Sequence, residues 1–190
     1  MTIAENFAVV RAAIKKSCKA SGRAADAVTL VAVSKVQPDD RIDAALHAGQ
    51  RVFGENRVQD AQERWSGRKA ADPTIRLHLI GSLQSNKAKD AVALFDVIET
   101  VDRISLATEL AKEMQRQQRS LPCLIQVNTG AEEQKGGVSP ADLPALLEAC
   151  RACGLTITGL MCIPPVGAPP ELHFALLKKL AARHALPDLS

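Results

Sequence analysis

The alternation of strand-like and helix-like runs is the feature that most limits what this chain can fold into. Short apolar runs rich in β-branched residues predict strands, and the amphipathic stretches between them predict helices. The predicted strands are Thr29–Ser34, Arg51–Phe53, Ile75–Ile80, Val97–Val101, Leu124–Asn128 and Thr156–Cys162. Regular alternation of this kind favours a parallel sheet covered by helices.

Local sequence signals mark several of the helices. Residues 3–20 form the first predicted helix, and a second runs from Pro38 to Gly49, with proline in its first turn and glycine just past its end. Ile104 to Gln118 is a long amphipathic stretch. Ser139 predicts the N-cap of a later helix, which Gly154 ends.

Two parallel architectures fit the spacing of these elements. The predicted strands end on average about 26 residues apart, which suits a doubly wound sheet and a (β/α)₈ barrel equally. No glycine-rich dinucleotide fingerprint and no P-loop follows any of the strands, so the nucleotide-binding versions of the doubly wound sheet lose their main support.

Composition excludes several classes of function. With 190 residues, 46% of them hydrophobic, the sequence predicts a single domain over residues 1–190. Aromatic residues make up 3% and the net charge is +3, which gives no support to nucleic-acid binding. No apolar stretch approaches the ~18 residues of a membrane span, and the N-terminus does not resemble a secretory signal. We therefore expect a cytoplasmic protein without a nucleic-acid or membrane partner.

The five cysteines fit reduced thiols in such a compartment. Cys150 and Cys153 match C-x-x-C, but they lie near the end of a predicted helix, and no second Cys/His pair completes a metal site. Helix packing is the favoured interpretation, with redox chemistry as the alternative and no metal expected.

Polar residues recur where the predicted strands end, the place where parallel α/β proteins build their sites. Lys35 directly follows the first strand. Partial burial there would favour the neutral amine, which attacks carbonyl carbons, whereas the plain alternative is a lysine that reaches into water. The other strand ends carry Gly54-Glu55-Asn56, Gly81-Ser82-Leu83-Gln84-Ser85-Asn86-Lys87, Asn128-Thr129-Gly130 and Met161-Cys162-Ile163-Pro164-Pro165.

Taken in order, these motifs resemble the pyridoxal phosphate homeostasis family, single-domain relatives of the alanine racemase barrel. The resemblance extends over nearly the whole chain and implies a (β/α)₈ TIM-type barrel that binds pyridoxal 5′-phosphate (PLP) at the strand C-termini. It also implies that Lys35 carries PLP as an internal aldimine. Asn56 and Met161 would face the cofactor ring, and His78 would point inward from the third strand.

Plainer roles stay open for these residues. Asn56 could cap a turn and Met161 could fill the core. Lys135, in Glu132-Glu133-Gln134-Lys135-Gly136, could meet PLP or its precursors, although a solvated loop charge is the favoured interpretation.

The sequence departs from the family pattern in three places. Cys162 replaces a common threonine, and Gly130 replaces a common serine. A (β/α)₈ barrel needs about 200 residues or more, so we expect a barrel truncated before strands 7 and 8. The resemblance would place the phosphate-binding loops in that absent segment, so the sequence names no phosphate ligands.

The resemblance implies a protein that buffers or delivers PLP, with other B6 vitamers and PLP-dependent apo-enzymes as possible partners. An amino-acid racemase or decarboxylase is the main rival, but related racemases use a tyrosine from a second domain, and this chain has no tyrosine and no second domain. A third interpretation is a protein-interaction module in which Lys35 has no role.

Overall fold

The fold is an open parallel sheet with helices between its strands, seen in a computed structural model that describes residues 1–132 and 135–190. The strands are β1 Ala32–Val33, β2 Val52–Glu55, β3 Arg76–Leu79, β4 Val97–Val101, β5 Cys123–Gln126, β6 Ile157–Met161 and β7 Asp188–Leu189. The helices are α1 Ile3–Ala20, α2 Asp39–His47, α3 Val58–Ala71, α4 Ala88–Leu94, α5 Ile104–Arg116, α6 Leu143–Ala152 and α7 Pro170–Arg183. A 3₁₀ turn, Ser85–Lys87, precedes α4.

Strand order follows chain order from β1 to β7, and every neighbouring pair is parallel. The predicted parallel sheet is therefore confirmed. The prediction that the chain stops before the seventh strand is wrong, because Asp188 and Leu189 pair with Gly159 and Leu160 of β6. The sequence did not predict this strand because the run is only two residues long and follows Pro187, a pattern typical of a loop.

One face of the sheet packs against the helices. Phe53 of β2 contacts Trp65 of α3 with ring centroids 4.5 Å apart, and both side chains are buried. Leu77, Ile98 and Ile125 continue this apolar layer on successive strands, and all three are fully buried. Burying such side chains contributes about 2 kcal/mol each, so this layer supplies much of the fold's stability.

The other face curves around a cavity. Residues from β2, β3, β4, β5, β6 and β7 and from the segment just before β1 line one space of about 690 Å³. A flat sheet could not bring its last strand and the segment that leads into its first strand to the same cavity, so the sheet has the curvature of a half-barrel. Across the described residues, β1 and β7 form no pairing with each other.

The helix boundaries correct one prediction. The helix expected to begin after Ser139 begins instead at Leu143. Ser139 caps a turn that precedes it, because its hydroxyl accepts from the Asp142 amide at 3.1 Å. Pro144 lies in the first turn of α6, where its missing N–H has no helical partner to lose.

Candidate functional site

Lys35 lies in a turn directly after β1, at the C-terminal edge of the sheet. Its side chain is exposed rather than partly buried, and within the described residues it forms no hydrogen bond and no ion pair. The next residue, Val36, has φ +52°. This left-handed conformation is a clear outlier for a β-branched residue. The lysine therefore sits on a strained turn with its amine free.

Glu55, the last residue of β2, lies beside that turn. It is fully buried, and a single oxygen, Oε1, accepts three hydrogen bonds. The donors are the Ser34 hydroxyl at 2.7 Å, the Arg64 guanidinium at 2.8 Å and the Trp65 indole N–H at 3.0 Å. A charge-assisted bond to a buried carboxylate is among the stronger hydrogen bonds in proteins. The sequence analysis gave Glu55 no role of its own.

Asn56 follows Glu55 at the same edge and is half-buried. Its side-chain amide has no hydrogen-bond partner among residues 1–132 and 135–190. A Cβ at Gly81 would lie 2.3 Å from the Asn56 carbonyl oxygen, so only glycine permits this close approach of the strand ends. The predicted turn-capping role finds no bond to support it, and the amide can meet a ligand.

Met161 is the last residue of β6 and is 3% exposed. Its backbone is fixed because its carbonyl accepts from the Val127 amide at 2.8 Å. Met161, Lys35 and Asn56 therefore all lie at strand C-termini, which share one edge in a parallel sheet.

His78 does not reach that edge. Strand register aligns Val33 with Gly54 and Gly54 with His78, while Lys35 and Asn56 each lie two residues further on. His78 is therefore about 6.6 Å closer to the N-terminal edge. It does point to the inner face, where Nδ1 lies 2.5 Å from Oε1 of Glu99. The other Glu99 oxygen accepts from the Ser190 hydroxyl at 2.6 Å. The role of His78 as a cofactor contact stays a prediction.

Lys135 is paired rather than solvated. Its Nζ lies 2.7 Å from Oε2 of Glu132 and 3.4 Å from the Pro164 carbonyl oxygen. The neighbouring Glu133 and Gln134 of that motif lie outside the described residues. An ion pair of this kind makes the amine less available than that of Lys35.

Two further cations lie at the C-terminal edge, and the sequence did not predict either of them as a site residue. Arg57 follows Asn56, and Lys87 ends the 3₁₀ turn after β3. In the part of the chain that the structure describes, neither forms an ion pair or a side-chain hydrogen bond. Their positions beside strand ends were the available signal, since basic side chains there favour anionic ligands.

The cysteines do not form a second site. All five are free thiols, and burial raises the pKa of Cys123 and of Cys150 to about 12, so both stay protonated near neutral pH. A protonated thiol is a poor nucleophile, which favours the packing interpretation of the C-x-x-C pair. Among the described residues, no group of three His, Cys, Asp or Glu side chains could hold a metal ion. No helix there is long and apolar enough to cross a bilayer.

These features define a class: a curved parallel α/β sheet with polar and charged side chains gathered at the C-terminal ends of its strands. A family model described as "Alanine racemase, N-terminal domain" matches residues 4–186. The chain belongs to the alanine racemase N-terminal domain family and, within it, to the pyridoxal phosphate homeostasis proteins.

Two curated relatives carry the name pyridoxal phosphate homeostasis protein. The one from Pseudomonas aeruginosa is 38% identical over 190 residues, covering 100% of this chain and 81% of that protein. The one from Escherichia coli K12 is 36% identical over 185 residues, covering 96% and 79%.

Solved structures agree with this family. PipY from Synechococcus elongatus without PLP has a TM-score of 0.84 at 37% identity, covering 98% of this chain and 85% of that chain. PipY with PLP bound has a TM-score of 0.81 at 36% identity, covering 98% and 84%. A lysine/ornithine decarboxylase from Vibrio vulnificus, at TM-score 0.70 and 15% identity over 99% of this chain and 48% of that chain, shares the fold alone.

Proposed function

We propose that this protein binds PLP at the C-terminal edge of its sheet and buffers or delivers it without turning over a substrate. The observation that carries the proposal is the exposed amine of Lys35 just past β1, which has no partner among the described residues, in a chain that is 36% identical to a protein solved with PLP bound. We assign Lys35 as the Schiff-base residue, because an aldehyde carbon is attacked by a free amine.

The neighbouring side chains fit such a ligand. The Asn56 amide has no partner in the described chain and can donate to or accept from a ring substituent. Met161 offers a polarizable apolar surface, although it is mostly covered. Arg57 and Lys87 place positive charge at the same edge of the sheet, which attracts an anionic ligand such as a phosphate ester. PLP itself supplies an electrophilic carbon when bound.

Further parts of the proposal concern the whole protein. We assign residues 1–190 to one PLP-binding domain whose curved sheet is part of a (β/α)₈ barrel, supported by the cavity that β7 and the segment before β1 both line. A cytoplasmic location is supported by five free thiols. Other B6 vitamers and PLP-dependent apo-enzymes belong to the proposed partners.

Peptide mapping tests the binding proposal. The protein is mixed with PLP, scanned for visible absorbance, reduced with borohydride and digested. The expected result is a pyridoxyl group on Lys35. A main adduct on Lys87 or Lys135 would contradict the assignment, and an unchanged spectrum would contradict binding and leave the interaction module as the better interpretation.

A separate assay tests the absence of turnover. Racemisation and decarboxylation of amino acids are compared with the same reactions in free PLP at equal concentration. We expect no saturable rate above that baseline. For racemisation the reason is that the sequence contains no tyrosine to act as an opposing base. A saturable rate that disappears in Lys35→Ala would establish the enzyme instead.

A further inference from the structure

The turn that carries Lys35 is held in an unfavourable conformation. Val36 has φ +52°, a left-handed conformation that is unfavourable for a β-branched residue. Such strain persists only where surrounding contacts determine the backbone, and it concentrates at functional sites. The contacts that hold this turn therefore merit a functional explanation.

Two backbone hydrogen bonds and the Ser34 hydroxyl hold the turn. The Ser34 amide donates to the Gly54 carbonyl at 3.0 Å, and the Gln37 amide donates to the Ser34 carbonyl at 3.1 Å. The Ser34 hydroxyl donates to Oε1 of Glu55 at 2.7 Å, and the Gly54 carbonyl is a more distant acceptor at 3.4 Å. Ser34 is 4% exposed and Glu55 is fully buried, so water does not compete for this bond.

Glu55 is itself anchored from the helix layer. Arg64 and Trp65 of α3 bind the same oxygen, and the Arg64 side chain is 18% exposed while that of Glu55 is 1% exposed. The carboxylate thus links α3, the end of β2 and the end of β1. A buried carboxylate that is paired in this way is held in one place, so it can fix the position of the Ser34 hydroxyl.

We propose that Glu55 is a positioning residue for Lys35: acting through the Ser34 hydroxyl, it holds the strained turn that presents the lysine amine to the aldehyde of the cofactor. This inference rests on the proposed function. It predicts that removing the Ser34 hydroxyl reduces attachment at Lys35 by more than the accompanying loss of fold stability explains.

Ser34→Ala is the direct test, because it removes the hydroxyl and leaves Glu55 bound to Arg64 and Trp65. Ser34→Thr is the conservative variant that keeps the hydroxyl. Gln50→Met is the matched control. The buried Gln50 amide donates to the carbonyls of Leu30 at 2.7 Å and Val52 at 2.6 Å, so it joins the same two strands at their opposite ends.

Two quantities are measured on each full-length variant beside its Tm. The first is the apparent Kd and formation rate of the PLP adduct at Lys35. We expect Ser34→Ala to weaken the adduct about tenfold, Ser34→Thr to stay within about twofold of wild type, and Gln50→Met to bind normally despite a similar or larger fall in Tm. The second is amide exchange of residues 34–37 without cofactor, which should accelerate only in Ser34→Ala.

The outcomes separate the inference from the proposed function. If wild type forms the adduct but Ser34→Ala matches wild type, or if binding across the variants simply follows Tm, Glu55 and Ser34 are structural and the positioning role is wrong. Failure of Ser34→Thr to retain binding also overturns it. If wild type forms no adduct at all, the proposed function is wrong, and the positioning role that rests on it is wrong as well.

Discussion

The two edges of the sheet differ in how many of their charged side chains are bound to a partner. At the N-terminal edge, charged groups are bound to one another or to backbone: Asp96 accepts from Lys69 at 2.6 Å, and Arg51 pairs with Asp72 at 2.9 Å. Arg119 donates to the carbonyls of Val92, Ala93 and Phe95.

At the C-terminal edge three cations, Lys35, Arg57 and Lys87, have no such partner in the described chain, although Arg103 pairs with Asp102 and Lys135 with Glu132. Paired charges at one edge contribute to stability, whereas unpaired charges at the other remain available to a ligand. The contrast agrees with the division of labour in parallel barrels, where the C-terminal face holds the chemistry and the opposite face supports the fold. Substitutions at the N-terminal edge should therefore change mainly the stability, and substitutions at the C-terminal edge should change mainly the binding of a ligand.

The largest effect is expected from Lys35→Ala. Because no other amine at this edge combines exposure with a place directly after β1, the variant should lose the pyridoxyl adduct at this site completely. Its free energy of unfolding should change by less than about 0.5 kcal/mol, since the side chain is exposed and unpaired. Borohydride mapping and urea unfolding measure the two quantities. If another lysine of the variant carried the pyridoxyl group at the yield seen in wild type, Lys35 would not be the specific attachment residue.

The next largest effect should come from Asp96→Asn at the N-terminal edge. Burial acts to raise the pKa of Asp96, but hydrogen bonds from Lys69 and the Leu77 amide outweigh it and leave the pKa below its ordinary value. The variant should lose about 2 kcal/mol of unfolding free energy near neutral pH and bind PLP normally. Equilibrium urea denaturation checks the first statement.

The pH dependence of that loss follows from the sign of the shift. A folded-state pKa below the unfolded value means that the stabilisation is present above the unfolded pKa of about 3.9 and is lost as pH falls through the folded value. The difference between wild type and Asp96→Asn should therefore shrink below about pH 4. A difference that stays constant down to about pH 2 would mean that the ion pairs of Asp96 contribute nothing.

A smaller effect is expected from Asn56→Ala. We expect about a tenfold weaker Kd for PLP, since one hydrogen bond to the ligand is lost, with little change in Tm because the amide has no partner in the described protein. Spectroscopic titration gives the affinity. A large fall in Tm with unchanged affinity would return Asn56 to the turn-capping role.

The smallest effect should come from Arg57→Gln. It should lower the association rate for PLP about two- to threefold at low ionic strength, and the difference should fade as salt screens the charge. Arg76→Gln is the matched control, because Arg76 carries the same charge at the N-terminal edge and is bound to Asp96. Equal rate changes in both variants would show that net charge, rather than position, attracts the ligand.

Much of this organisation could be predicted from the sequence. Apolar runs located six of the seven strands, and the position of Lys35 after the first of them placed it at the correct edge. The position of His78 between the two edges of the sheet could not be predicted, because strand register depends on pairing with Gly54 and not on the local sequence pattern. Glu55 was missed for a related reason: its donors lie 9, 10 and 21 residues away and meet only after the fold forms.

The sequential strand order also bears on how the chain reaches this structure. Each strand pairs with the next strand along the chain, so every new pairing closes a loop of one helical unit and never waits for a distant segment. Loop-closure cost then stays similar at every step, although parallel strands separated by a whole helical unit pair more slowly than hairpins do. A nascent chain could dock each strand and helix in turn as it leaves the ribosome, with β1 and β2 pairing first and bringing Ser34 and Glu55 together early.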